Sequence, residues 1–206
     1  MGKHETGFAR VDKDYYRTPS WVIDALAEHV GIAGSAIWEP AAGDGQMVEA
    51  LKAAGAASVW ASDIVQRGCS LDGVLDFPTG PAPDLHLDLI VTNPPFGSRG
   101  RLAVAFIETG LRHIVSGRAR GLALLLPTDF DSAASRTGLF RDCACFAAKL
   151  VLTKRIVWFQ RPDGTRESPK ENHCWALWGQ PLLRAADRSP IVLYAPNSAG
   201  GRHAAP

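Results

Sequence analysis

Four consecutive residues near the middle of the chain, Asn93-Pro94-Pro95-Phe96, can do chemistry on a flat amine. The Asn93 side-chain oxygen and the Pro94 carbonyl both accept hydrogen bonds, so together they can hold one NH₂ group. Phe96 offers a flat face on which the attached ring can stack. Neither acceptor is basic enough to remove a proton, so the help they give is positioning and electrostatics. The same four residues also read as an ordinary strand-ending turn with a packed phenylalanine.

An element must hold them. Leu89-Ile90-Val91, within the stretch from Leu87, has the length and flanks of a buried parallel strand. Two prolines in succession lack N–H donors and fix φ, so the strand stops and the backbone leaves the sheet in a rigid turn. That puts the Asn-Pro-Pro-Phe turn at the carboxyl end of a strand, where open α/β sheets bind ligands.

A second constellation lies earlier. Ala36-Ile37-Trp38-Glu39 reads as a short strand, Pro40 to Gly45 as a glycine-rich turn, and Gln46 to about Ala54 as a helix. Gly43 and Gly45 allow positive φ and close backbone approach, and the helix start supplies free N–H groups. Val48 stands where the dinucleotide fingerprint has its third glycine, which disfavours NAD or FAD. Val59 to Asp63 is the next strand. Asp63 falls roughly 20 residues after Gly43, where a carboxylate accepts from ribose hydroxyls in Rossmann-type sites. An aspartate that merely caps a strand-end turn would look the same.

Asn-Pro-Pro-Phe after an apolar strand resembles the catalytic motif of S-adenosylmethionine-dependent amino-methyltransferases, above all those acting on adenine in DNA. The other segments follow in the order that family requires, over roughly residues 15 to 178. Tyr16-x-Thr18-Pro19 before a helix resembles the segment that closes over the methionine part of the cofactor, so Tyr16, Thr18 and Pro19 are carried over. Glu39-Pro40-x-x-Gly43-Asp44-Gly45 resembles the first cofactor motif, which implies Glu39 and Asp44 near the ammonium and sulfonium charges. A cationic ligand also accounts for acids at a helix N-terminus that would otherwise attract phosphate. Asp76-Phe77 resembles the third motif, implying Asp76 on the cofactor's adenine amine and Phe77 against its ring. The resemblance implies a single Rossmann-like class I methyltransferase domain, α/β, with a mostly parallel seven-stranded sheet, helices on both faces and a C-terminal β-hairpin. It implies S-adenosyl-L-methionine as cofactor and direct methyl transfer to an exocyclic amine. Asn rather than Ser at the first position, and Phe rather than Tyr at the last, are closer to adenine than to cytosine-amine enzymes.

The rest of the chain bounds this reading. Its 206 residues, 46% hydrophobic, fit one domain with one sizeable core. Residues 1–14 read as a flexible segment, 15–195 as the catalytic domain and 196–206 as a tail. Lys+Arg 22 against Asp+Glu 21 leaves a formal charge of +1, so a nucleic-acid surface would have to be local. Gly97 to Arg101 is small and basic, and Arg99 and Arg101 suit phosphate contacts or a solvated turn alike. Arg161, Arg166 and Lys170, beside Lys154 and Arg155, fall in a loop from Gln160 to Asn172 between strand candidates, equally readable as a nucleic-acid rim or a solvated hairpin loop. Cys69, Cys143, Cys145 and Cys174 have no zinc-type spacing, and no metal site is expected. No signal peptide and no membrane-length apolar run stands in the sequence, which reads as cytoplasmic.

Further elements are expected as follows. Trp21, Val22, Ala25, Leu26 and Val30 mark a helix with Thr18 or Ser20 as cap. Leu102 to Ile114 and Ser135 to Ala147 read as helices. Gly121 to Pro127 reads as a central strand, with Thr128 to Phe130 able to line a target pocket. Leu150 to Thr153, Ile156 to Phe159, His173 to Trp178 and Ile191 to Tyr194 read as strands.

One departure bears on substrate. No stretch of these 206 residues reads as a separate target-recognition domain, so sequence reading is expected to fall to the N-terminal segment, the basic turn, the Gln160 to Asn172 loop or a partner. The expected substrate is adenine in DNA. RNA adenine, a protein glutamine amide, or a catalytically silent cofactor-binding role beside a partner stay open.

Overall fold

The computed structural model describes residues 17–158, 171–179 and 191–195. The central elements run β1 (Ala36–Glu39), α2 (Gln46–Ala53), β2 (Ser58–Asp63), β3 (Gly73–Val74), β4 (Leu87–Thr92), α3 (Arg101–Val115) and β5 (Ala119–Pro127). Helix α1 (Ser20–Ala27) precedes them; β6 (Phe146–Val151), β7 (His173–Gly179) and β8 (Ile191–Tyr194) follow. The strands form one sheet in the order β3-β2-β1-β4-β5-β7-β6-β8. It is parallel from β3 through β5, and β7 then runs antiparallel to both β5 and β6. The sheet therefore has eight strands where seven are expected, because β8 adds a parallel pairing along β6 at the edge.

Both faces of the sheet are covered, which is why its central strands are apolar without alternation. On one face Ile37, Leu89, Val91 and Leu125 pack against Ile23 and Leu26 of α1 and Leu51 of α2. On the other, Trp38, Ile90, Leu122 and Leu124 pack against Phe106 and Ile107 of α3. Trp175 of β7 donates its indole N–H to the Val22 carbonyl at 3.0 Å, fastening α1 to the antiparallel end of the sheet.

Three local expectations differ from the structure. Helix α1 has Pro19 at its N-cap and no side-chain cap, so neither Thr18 nor Ser20 serves as one. The segment expected as a helix from Ser135 to Ala147 is a 3-10 turn (Ala134–Leu139) running on to β6, which begins at Phe146. Phe140 and Phe146 close on Trp178 with ring centroids 5.3 and 5.5 Å apart, and that burial outweighs helix propensities of a few tenths of a kcal/mol per residue. Residues Ile156 to Trp158 carry no strand, although Ile156 is buried in the core on the α1 face. Phe159 lies outside the described residues.

Candidate functional site

The chain builds outward in one direction through β1, β2 and β3 and then in the other through β4 and β5. Between β1 and β4 the direction reverses, and the loops leaving their carboxyl ends diverge there. A cavity of about 380 Å³ opens at this point, within the range of small-molecule sites. Its wall combines the turn after β1, the ends of β2 and β4, the Asp76 turn, the start of α3 and the residues just before α1.

The turn after β1 is held by its neighbours' carboxylates. Gly43 has φ 58° and donates its N–H to Asp63 Oδ2 at 2.9 Å, while Asp63 Oδ1 accepts from Val65 N–H at 3.2 Å. Each Asp63 oxygen keeps a further lone pair for a ligand hydroxyl. Gly45 starts α2 at φ 84°, and a Cβ there would lie 2.9 Å from the Cys69 Cβ. Asp44 accepts from the Gln46 N–H at 3.2 Å and pairs with Arg17, so the free N–H groups of α2 already face a carboxylate. Asp76 takes the Thr79 hydroxyl at 2.6 Å and thereby closes its own turn.

Thr18, Pro40, Gly43, Asp44, Asp63, Asp76, Phe77 and Asn93 all line the cavity. Phe77 is otherwise a core residue, 2% exposed and edge-on to Trp38 at 4.8 Å. Pro19, Glu39 and Gly45 are not among the residues that line it, and Tyr16 lies outside the described residues.

Glu39 is 1% exposed and braces two strands. Its Oε1 accepts from the Ala41 N–H at 2.9 Å and from the Thr92 hydroxyl at 2.6 Å. Its Oε2 is buried with no partner among the described residues. Burial pushes this carboxyl up to about 8, against the lowering effect of the Thr92 and Ala41 hydrogen bonds.

At the end of β4, Asn93 and Pro95 line the cavity, whereas Pro94 is buried and Phe96 lies half-buried against the core on the α3 face. The Asn93 amide donates Nδ2–H to Thr18 Oγ1 at 3.2 Å, which leaves Oδ1 as the accepting end. A 3-10 turn, Ser98–Gly100, then leads into α3, and Arg99 within it has φ 56°, the one positive φ outside glycine among the described residues. Arg136 holds this turn by donating to the Arg99 carbonyl at 3.0 Å and to the Phe130 carbonyl at 2.7 Å. Its guanidinium also lies over the Phe130 ring at 3.6 Å, so Phe130 is a buried support rather than an open pocket wall. Arg99 and Arg101 are exposed beside the Asn93 turn. Lys154 lies over Trp21 at 5.0 Å and Arg155 donates to Asn172 at 2.8 Å. Arg161, Arg166 and Lys170 lie outside the described residues, as do residues 1–14 and 196–206.

Some lining residues do not follow from the motifs. Ile64, 54% exposed, and Arg67 come just after the strand-end Asp63. Leu102, 45% exposed, and Phe106 stand one turn apart at the start of α3. An i, i+4 apolar pair immediately after the Asn-Pro-Pro-Phe turn is the sequence signal that would have found the latter two. Among the described residues no helix is long and apolar enough to cross a membrane.

No protein-family model and no curated protein sequence matches the chain. Solved structures do resemble it. A Pyrococcus horikoshii protein assigned as an RNA methyltransferase aligns with TM-score 0.58 and 15% identity over 81% of this chain and 87% of its own. The methyltransferase subunit of a type I restriction-modification system from Streptococcus thermophilus aligns with TM-score 0.59 and 12% identity. That match covers 87% of this chain but 47% of the subunit, about half its length. A dimethyladenosine transferase from Plasmodium falciparum aligns with TM-score 0.53 and 14% identity, over 80% of this chain and 62% of that one. The likeness is one of fold: an α/β domain whose mixed, mostly parallel sheet is flanked by helices, as in class I Rossmann-like methyltransferases.

Proposed function

We propose that this protein is an S-adenosylmethionine-dependent methyltransferase that modifies the exocyclic amine of adenine in DNA. One observation carries the reading. Asn93, with a side-chain oxygen available to accept, lines the same cavity as the Gly43 turn, Asp63 and Asp76, at the point where the strand order reverses.

The donor set suits this cofactor. Three carboxylates line the cavity, and Asp44 covers the helix N-terminus that an anionic ligand would use. A ligand with ribose hydroxyls, an amine and a fixed positive charge meets acceptors there. When bound, S-adenosylmethionine supplies an electrophilic methyl group. Asp63 would accept from ribose hydroxyls, Asp76 from the adenine amine, and Ile64 and Leu102 give apolar surface beside the ring.

Asn93 Oδ1 and the Pro94 carbonyl would accept from the target amine and aim its lone pair into the cavity. As the amine's lone pair forms the bond to the methyl carbon, the methyl–sulfur bond would break and its electron pair return to sulfur as a neutral thioether. The nitrogen becomes positive, and the same two oxygens would lie beside that charge. The proton then leaves a nitrogen made strongly acidic by alkylation, so no general base of matched pKa is required. Phe96 would stack on the base once it has left the helix, and base–aromatic stacking is worth ~1–3 kcal/mol. Arg99 and Arg101 would meet the flanking phosphates.

The dimethyladenosine transferase neighbour supports adenine as target, and the restriction-modification methyltransferase subunit supports DNA. RNA is the second reading, favoured by the match that spans most of the Pyrococcus horikoshii RNA methyltransferase. The test is incubation of purified protein with methyl-labelled cofactor and duplex DNA, single-stranded DNA, RNA or cell-extract protein. Label that digests to methylated adenine in DNA, and disappears with Asn93→Ala, is the expected result. Label in RNA or protein replaces the substrate and keeps the chemistry. Cofactor binding with no transfer to any substrate overturns the enzyme reading.

A further inference from the structure

We infer that Thr18 is a positioning residue for methyl transfer, acting through Asn93; this rests on the proposed reading of Asn93 as the amine acceptor. A terminal amide torsion is broad and roughly two-fold, so nothing within asparagine itself decides which end faces an incoming amine. Only Oδ1 can accept; Nδ2 presented to the amine would set donor against donor. In this structure Nδ2–H donates to Thr18 Oγ1 at 3.2 Å, across 75 residues of sequence.

The Thr18 hydroxyl stands where a helix cap would be expected, yet α1 has no side-chain cap. It is diverted to Asn93 instead. Thr18 is 4% exposed and is mounted on a rigid support, because Val22, Ile23 and Leu26 of α1 are fully buried and Trp175 bonds to the Val22 carbonyl. Its neighbour Arg17 pairs with Asp44 in the turn after β1, so residues 17 and 18 reach both the cofactor turn and the amine acceptor. On the opposite side, Thr92 is tied to the buried Glu39, which steadies the backbone that carries Asn93. The strand fixes where Asn93 is. Thr18 fixes which way its amide faces.

Thr18→Val keeps the shape of the side chain and removes the acceptor, and Thr18→Ser keeps the acceptor. The measurement is kcat at saturating cofactor and nucleic acid, with calorimetric Kd for S-adenosylmethionine on the same preparations. Thr18→Val is expected to lower kcat about tenfold, as for one lost orienting hydrogen bond. Thr18 also lines the cavity, so kcat is read at saturating cofactor, where a change in Kd drops out, and Thr18→Ser should recover most of the rate. If Thr18→Val melts too early to assay, Thr18→Ala carries the same comparison with Thr18→Ser. A Thr18→Val enzyme with unchanged kcat overturns the inference, as does one whose only defect is weaker cofactor binding. A wild type that methylates no amine overturns the proposed function and this inference together, whereas an active wild type with an indifferent Thr18 overturns this inference alone.

Discussion

The turn after β1 and the turn after β4 both line one cavity and are held in different ways. The first is assembled from close sequence. Gly43 and Gly45 take left-handed backbone angles, Asp44 accepts from the Gln46 N–H at the start of α2, and Asp63 accepts from the Gly43 N–H from the next strand, 20 residues on. The second is assembled from distant sequence. Asn93 bonds to Thr18 across 75 residues, Thr92 to Glu39 across 53, and the Arg99 carbonyl to Arg136 across 37. The first turn can thus be built within one βαβ unit, because backbone N–H groups and glycine angles do most of the holding. On the proposed reading the second must present a particular end of the Asn93 amide, and among the described residues a remote partner, Thr18, holds the other end.

Substitutions can separate the two halves, and the largest effect should come from Asn93. Asn93→Ala is expected to cut kcat by about 10²–10³, the cost of losing one oriented transition-state partner, with cofactor Kd nearly unchanged. Rapid-quench turnover beside calorimetry reads both; a large loss of cofactor affinity would erase the distinction between the halves.

Glu39 joins the halves, and its effect should appear in stability against pH. Its carboxyl is raised in the folded protein from 4.5 to about 8, so the native state holds a proton that the unfolded chain releases. That contribution is complete below the unfolded value and is lost as pH rises toward the folded value. Relative to Glu39→Gln, wild-type stability should therefore fall between pH 4.5 and about 8, by on the order of 3 kcal/mol. Denaturant melts of both proteins across that range check it, and parallel pH profiles would contradict it.

Gly45→Ala should act on the cofactor half alone. An L side chain at φ 84° costs roughly 1–2 kcal/mol, and its Cβ would meet Cys69 at 2.9 Å. Weaker cofactor binding and a lower melting temperature are expected, with kcat retained once cofactor saturates. A variant that binds cofactor normally but turns over slowly would reverse the assignment.

The smallest effect belongs to Arg99. Arg99→Ala should weaken DNA binding irrespective of sequence and reduce the slope of log K against log salt by about 1, as for one lost phosphate contact. Filter binding at several salt concentrations measures this, and an unchanged slope would remove Arg99 from the interface.

Much of the framework is legible in the chain because it depends on near neighbours. Glycine at 43 and 45, two prolines after Thr92 and the apolar runs of β1, β4 and β5 act through dihedral limits and burial, which every copy of those residues carries. Asp63 follows from its place at a strand end, whereas Asp76 is carried by the motif resemblance alone. The strand at Phe146–Val151 is legible only at its end, within the expected Leu150 to Thr153; its start reads as helix, since its partner β7 and the Trp178 ring that Phe146 meets belong to another part of the chain. The burial of Glu39 is not legible, nor is the use of Thr18 as a partner for Asn93 rather than as a helix cap. The sequence by itself determined where the backbone must turn and which groups could accept an amine, because Gly, Pro and Asn bring those properties with them. Tertiary structure alone decided which acceptor end is presented and which carboxyl is sealed from water, because hydrogen-bond partners and burial exist only after distant segments have packed together.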